Sequence, residues 1–104
     1  MSLETKKIVS LKASLVSDSK RHSGIIENLS KDSIYLRAAT INPVSDFIPG
    51  EFFEVHFQSN SGEDISLPSK VKWSYDTPPH GITKSIGLEI EEENPKYKKL
   101  LSEL

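Results

Sequence analysis

Residues 22–37 read HSGIIENLSKDSIYLR, and this stretch decides the fold. Apolar residues lie on both sides of a short polar segment, a pattern typical of two β-strands joined by a turn. In the second strand, Ile34 and Leu36 share one face, while Tyr35 and Arg37 share the other. Because side chains alternate between the two faces of a strand, this arrangement predicts one buried and one exposed face.

Small polar residues occupy the turn between these two strands. Asn28 and Ser30 begin the turn, and Ser33 follows three residues after Ser30. Such side chains often bond only to the local backbone, but they can also point outward and bind a hydrogen-bonding ligand. Gly24, inside the first strand, indicates either a β-bulge or a close approach of a neighbouring backbone.

The same alternation recurs along the chain and predicts further strands. Together with the first pair, strands are expected over 9–15, 22–29, 33–37, 51–57, 65–75 and 86–90. Phe53, Phe57 and Trp73 share the apolar parity and are predicted in the core, whereas Phe52 has the opposite parity and is expected to be exposed. Pro68 within the fifth strand indicates an edge position or a bulge. Turn-forming residues predict connections over 38–50 and 76–81.

The periodicity changes to that of a helix at the end of the chain. Asn94 is a good N-cap and Pro95 suits the first helical position. The apolar residues that follow have the spacing of one helix face: Tyr97, Leu100, Leu101 and Leu104. A C-terminal helix is therefore predicted over 94–104.

Six short strands separated by turns predict an all-β antiparallel barrel or sandwich, with the helix covering an open end or edge. The 104 residues are enough for one domain, 1–104, in which residues 1–7 are expected to form a flexible arm. No apolar run is long enough to cross a bilayer, so no membrane contact is expected. The chain has no cysteine, which excludes disulfides and thiolate chemistry and favours a cytoplasmic location.

Charge and motif content argue against several functions. The formal net charge is −2, and Arg21 and Arg37 are the only arginines. Affinity for nucleic-acid polymers requires an excess of positive charge, so such a partner is not expected. His22, His56 and His80 are not spaced as metal ligands, so neither a metal nor a cofactor is expected. No nucleophile motif accompanies them, so the chain is predicted not to be an enzyme and to have no catalytic residues.

Several short segments resemble the PilZ domain family, in this order along the chain. Asn28 and Ser30 match the start of a D/N-x-S-x-x-G pattern, and Pro49-Gly50 precedes the fourth strand as it often does in the family. Residues 71–73 and 86–90 resemble the family's last two strands. The resemblance implies a six-stranded antiparallel β-barrel with one C-terminal helix. It also implies a bacterial cytoplasmic signalling module whose ligand in many members is cyclic di-GMP.

The resemblance places a candidate ligand site at Asn28, Ser30 and Ser33, beside Lys6 and Lys7. Two departures from the family pattern affect this site. Ser33 replaces the usual glycine, and ligand-binding members carry an R-x-x-x-R motif before the first strand where this chain has lysines. Arginine offers a planar fork for phosphate or guanine, whereas lysine offers only a point charge.

Three functions follow from these observations. The first is a regulatory receptor that binds cyclic di-GMP across the turn, so that the N-terminal segment becomes ordered against the barrel. The second is a degenerate PilZ adaptor that binds no nucleotide and acts through a regulatory protein partner. The third is a small barrel that binds single-stranded nucleic acid, for which Lys70, Lys72 and Trp73 provide a sparse set of residues.

Overall fold

A computed structural model of the chain describes residues 6–18, 20–39, 47–76 and 83–104. The elements are β1 (Lys7–Ser17), β2 (Lys20–Leu29), β3 (Ser33–Ala39), β4 (Phe52–Gln58), β5 (Asp64–Asp76), β6 (Thr83–Ile90) and α1 (Pro95–Glu103). The strands form a closed antiparallel barrel in the order β1-β2-β3-β6-β5-β4. The all-β barrel with one C-terminal helix is thus confirmed. The start of the predicted arm and parts of both predicted connections lie outside the described ranges.

The barrel interior is filled by the apolar face of each strand. In β4, Phe53, Val55 and Phe57 are buried, while Phe52, the first residue of the strand, is 61% exposed. Both predictions for this strand are therefore confirmed. The same alternation gives the interior its other large side chains: Leu15, Ile26, Leu29, Ile34, Leu36, Ile65, Leu67, Val71, Ile86 and Leu88.

Helix α1 closes one end of the barrel. Asn94 caps it, because the Asn94 side-chain oxygen accepts hydrogen bonds from the backbone N–H groups of Lys96 at 2.9 Å and Tyr97 at 3.1 Å. The Asn94 amide also donates to the Ser66 carbonyl at 3.2 Å, which ties the start of the helix to β5. Tyr97 and Leu100 are buried against the core. No helix in the described ranges has the length and apolar character needed to cross a membrane.

Register shifts interrupt three of the strand pairings, and the one in β5 changes which residues reach the surface. Val71 lies opposite Leu88, but Trp73 lies opposite Gly87, so Lys72 is an extra residue in β5. A bulge of this kind reverses the side-chain alternation beyond it. Trp73 and Tyr75 therefore lie on the outside, 37% and 53% exposed. The prediction that Trp73 belongs to the core was wrong for this reason.

Gly24 fulfils one of the two roles predicted for it, whereas Pro68 fulfils neither. Gly24 pairs with Ala13 and Ala38 without a register shift, and a Cβ added there would lie 2.9 Å from the Arg37 carbonyl oxygen. Gly24 therefore allows a close backbone approach. Pro68 lies opposite Glu54 without a bulge, and on its other side its carbonyl accepts a hydrogen bond from the Glu91 N–H at 2.9 Å, so it is at neither an edge nor a bulge.

Candidate functional site

The turn between β2 and β3 is held by its two serines. The Ser30 N–H donates to the Ser33 carbonyl at 2.9 Å, and the hydroxyl groups of Ser30 and Ser33 are 2.6 Å apart. Ser30 is only 1% exposed. Its hydroxyl is thus used inside the turn, where it fixes the path of the chain from β2 into β3.

Ser33 begins β3 without backbone strain. The described non-glycine residues with positive φ are Asp18 and Phe47, so Ser33 does not adopt the left-handed conformation that would favour glycine. A serine in place of the glycine of the PilZ pattern is therefore compatible with this backbone. The added hydroxyl forms the bond to Ser30.

The turn is also attached to α1 and β6. The Tyr97 hydroxyl donates to the Ser30 carbonyl at 2.5 Å, and both residues are buried. The Ile90 N–H donates to the Asp32 carbonyl at 2.8 Å, which joins the end of β6 to the tip of the turn. These contacts give the turn a fixed position relative to the end of the barrel that α1 covers.

Asn28 lies on the outer surface of β2, just beyond a bulge. Ile26 pairs with Leu36 and Asn28 pairs with Tyr35, so Glu27 is the extra residue. The next pair, Leu29 and Ile34, is buried in the core. Because successive residues alternate between the faces of a strand, Asn28 and Tyr35 both face outward and lie side by side.

The row that contains Asn28 continues across two more strands. Tyr35 pairs with Gly87 of β6, and Gly87 pairs with Trp73 of β5. A Cβ at Gly87 would overlap the indole of Trp73, so the ring lies directly on the backbone of β6. The combination of a bulge in β5 and a glycine in β6 thus places the indole on the same outer surface as Asn28.

Three aromatic rings pack together on this surface. The centroids of Tyr35 and Trp73 are 5.3 Å apart with a tilt of 54°, and those of Trp73 and Tyr75 are 5.4 Å apart and stacked at 20°. The hydroxyl groups of Tyr35 and Tyr75 are 3.4 Å apart, and this hydrogen bond raises the pKa of Tyr75. We call the surface formed by Asn28, Tyr35, Trp73 and Tyr75 the aromatic face.

An arginine borders the aromatic face, and two lysines lie at the start of β1. Arg37 follows Tyr35 on the outer side of β3 and pairs with Glu27 at 3.5 Å. Lys6 is exposed and Lys7 is partly buried opposite Leu29, so both lie at the start of β1, beside the end of β2. Arg21 lies at the other end of β2, opposite Val16. The arginine that borders the aromatic face is therefore Arg37.

The histidines of the described ranges have other partners. The His22 ring contacts the Phe47 ring edge-on at 4.7 Å between centroids, and His56 Nε2 lies 2.6 Å from a carboxylate oxygen of Glu54. His80 lies outside the described ranges. Within those ranges, no three carboxylate or histidine side chains are grouped so that they could hold a metal ion.

The structure thus separates the predicted site residues into three groups. Asn28 belongs to the aromatic face, Ser30 and Ser33 form the turn beside it, and Lys6 and Lys7 lie at the start of β1. The aromatic rings were not predicted as site residues from the sequence. The outward parity of Tyr35 was evident there, but nothing in the sequence signals the extra residue Lys72 that turns Trp73 and Tyr75 outward.

Comparisons with known proteins bear on the fold. No protein-family model matches the sequence, and no curated protein does either. The structure is similar to the solved structure of the Bacillus subtilis inhibitor of motility (MotI/DgrA), with a TM-score of 0.74 and 14% identity. The similarity covers 95% of this chain and 46% of that chain, so the chain spans about half the length of this neighbour. At this identity the likeness concerns the fold alone, and it supports a PilZ-like fold.

Proposed function

We propose that the chain is a non-enzymatic regulatory module that binds cyclic di-GMP on its aromatic face. The observation that carries the proposal is the row in which Asn28, Tyr35, Gly87 and Trp73 lie opposite one another across four strands. This row puts a side-chain amide next to half-exposed aromatic rings. A regulatory role agrees with the structural neighbour, which is an inhibitor of motility.

The chemistry of the face suits a guanine base. Planar bases stack on aromatic side chains, and each such stack is worth about 1–3 kcal/mol. Trp73 and Tyr75 offer such a surface, because their rings are nearly parallel and partly exposed. The Asn28 amide carries both a donor and an acceptor, which match the hydrogen-bonding edge of a guanine stacked nearby.

The phosphates of the ligand would rely on a few local cations. Lys6 and Lys7 at the start of β1 and Arg37 on β3 are the candidates. Each charge-assisted hydrogen bond is worth about 1.5–3 kcal/mol, so the missing arginine pair predicts weaker binding than in members that carry it. In this proposal, Ser30 and Ser33 hold the turn beside the ligand.

Calorimetric titration of the purified chain with cyclic di-GMP, at low and moderate salt, tests the proposal. We expect saturable binding that weakens with salt, because the phosphates are recognised through lysines. Trp73→Ala and Asn28→Ala should each weaken binding by about tenfold or more. Phe52→Ala is the matched control, since Phe52 is an exposed aromatic residue of β4 outside the aromatic face and its loss should leave the affinity unchanged.

The alternative functions predict different results in the same experiment. No heat at high micromolar cyclic di-GMP would exclude the receptor and leave the adaptor, which exposed apolar residues such as Ile48 and Phe52 favour. Equal binding of cyclic di-GMP and a single-stranded oligonucleotide would instead favour the nucleic-acid binder. Retained affinity in both Trp73→Ala and Asn28→Ala would mean that the ligand binds elsewhere.

A further inference from the structure

Strand β1 is paired on both sides along only part of its length. It pairs with β2 from Lys7 to Ser17, but its pairing with β4 covers only Ala13 to Val16. Within the described ranges, residues 8–12 therefore have a neighbouring strand on one side alone. We call the other side of residues 8–12 the open edge.

A groove of about 1030 Å³ lies alongside the open edge. Val9, Ser10 and Lys12 of β1 and the end of β4 line the part of the groove beside the gap between these strands. The groove continues over the outer surface of β2, β3 and the start of β6. One end of the groove therefore coincides with the place where the β1–β4 pairing stops. Space for a further strand thus exists at the place where β1 lacks one.

We propose that the open edge binds an extended, acidic segment of a partner protein as an added strand. An unpaired strand edge presents N–H and C=O groups that an extended peptide satisfies in full. These backbone hydrogen bonds require the partner segment to be extended. Ile8, which is 82% exposed beside the edge, would contact an apolar side chain of the added strand.

The charge of β1 specifies an acidic partner. Lys6, Lys7 and Lys12 form no ion pair with any residue of the described ranges. Lys6 and Lys12 are also exposed, so a partner can reach their charges. The lysines of β5 differ, because Lys70 and Lys72 pair with carboxylates of Glu91 and Glu89.

The groove itself holds little competing negative charge. Its carboxylate, that of Glu27, is already paired with Arg37 at 3.5 Å. Glutamate or aspartate side chains on the added strand would therefore meet lysines along β1 that pair with no residue of the described ranges.

Hydrogen exchange of the free protein, followed by NMR, tests whether the open edge lacks a neighbouring strand. Amide protons of residues 8–12 that point away from β2 should exchange much faster than those of β3, which is paired on both sides. Uniform protection across residues 8–12 would show that the edge is already covered and would overturn the proposal.

A capped peptide of alternating valine and glutamate, titrated into the labelled protein, tests the partner chemistry. We expect saturable binding, with shift changes and new amide protection at residues 8–12. Lys12→Glu should weaken binding by about tenfold. Lys99→Glu, on α1, is the charge-matched control and should have no effect.

Three results would contradict the proposal. They are equal binding of a peptide in which lysine replaces glutamate, shift changes confined to the aromatic face, and unchanged affinity in Lys12→Glu. Because cyclic di-GMP is not used, failure here is separate from failure of the nucleotide proposal.

Discussion

Gly87 lies beneath the indole of Trp73, and the lack of a side chain there gives the ring its position on the barrel wall. Its backbone is extended, so an added methyl group would act through overlap with the ring. Gly87→Ala should displace the indole, change its fluorescence and destabilise the fold by about 1–3 kcal/mol. Urea unfolding followed by emission measures both effects, because the chain has a single tryptophan.

Gly62→Ala is the control for that variant. Gly62 has open space around it but a φ of +87°, so alanine should cost about 1 kcal/mol through backbone strain alone. Its tryptophan emission should match that of the wild type. An unaltered spectrum in Gly87→Ala as well would contradict the placement of the ring.

Tyr97 connects α1 to the turn through a buried hydrogen bond to the Ser30 carbonyl. Tyr97→Phe removes the donor and leaves a buried acceptor without it, which should cost about 1–3 kcal/mol in urea unfolding. Tyr75→Phe removes a hydroxyl from an exposed ring and should leave the urea midpoint almost unchanged. Equal effects in the two variants would show that the link to the turn does not stabilise the fold.

At the level of the elements, strand β4 carries an exposed carboxylate, that of Glu54, which bonds to β5 and titrates in the acid range. A Glu54 carboxylate oxygen accepts from the Ser66 hydroxyl at 2.5 Å and lies 2.6 Å from His56 Nε2. These hydrogen bonds, that from Ser66 foremost, lower the pKa of Glu54 from 4.5. Ionised Glu54 therefore stabilises the fold above the pKa of the unfolded chain, and this contribution disappears as the pH falls through the lower folded value.

Glu54→Gln should remove the part of the fall in unfolding free energy at low pH that comes from this carboxylate. We expect urea midpoints of the wild type and Glu54→Gln to converge as the pH falls from 7 to 3, with a small difference at pH 7 because the pair is exposed. Glu92→Gln makes the same change in charge away from this pair and is the comparison variant. A constant offset between wild type and Glu54→Gln at all pH values would exclude the proposed linkage.

For each element, the sequence was sufficient to predict the buried residues wherever apolar and polar residues alternate without a break. The apolar parity of β4 predicted which phenylalanines are inside, and Asn94-Pro95 predicted the start of α1. The failure lies in β5, where the bulge at Lys72 depends on how β5 matches β6 across the barrel. Such a match is a property of two distant segments, so no pattern within β5 itself reveals it.

The candidate site was predictable to a lesser extent than the fold. Asn28 could be proposed from the turn pattern, but its neighbours Trp73 and Gly87 come from strands far along the chain. Ser30 and Ser33 could be assigned to a turn from their chemistry. That their hydroxyl groups bond to each other is evident only in the folded chain.

The whole barrel encloses one core, so we expect it to unfold in a single cooperative transition. Leu88 is fully buried and lies opposite Ile34 and Val71 on the two neighbouring strands. Leu88→Ala should cost about 2–5 kcal/mol, with the same midpoint by far-UV circular dichroism and by tryptophan fluorescence. Ile8→Ala, at an 82% exposed position, should change stability by less than about 0.5 kcal/mol. Separate transitions in the two signals would indicate parts that unfold independently.

The strand order also constrains how the polypeptide folds as it leaves the ribosome. β3 finds its second neighbour only in β6, the last strand of the barrel to be synthesised, and β1 must wait for β4. Until residue 90 has emerged, the nascent chain therefore exposes unpaired strands and apolar faces that other chains can contact. Protection by chaperones during translation should therefore matter more for this barrel than the number of its residues suggests.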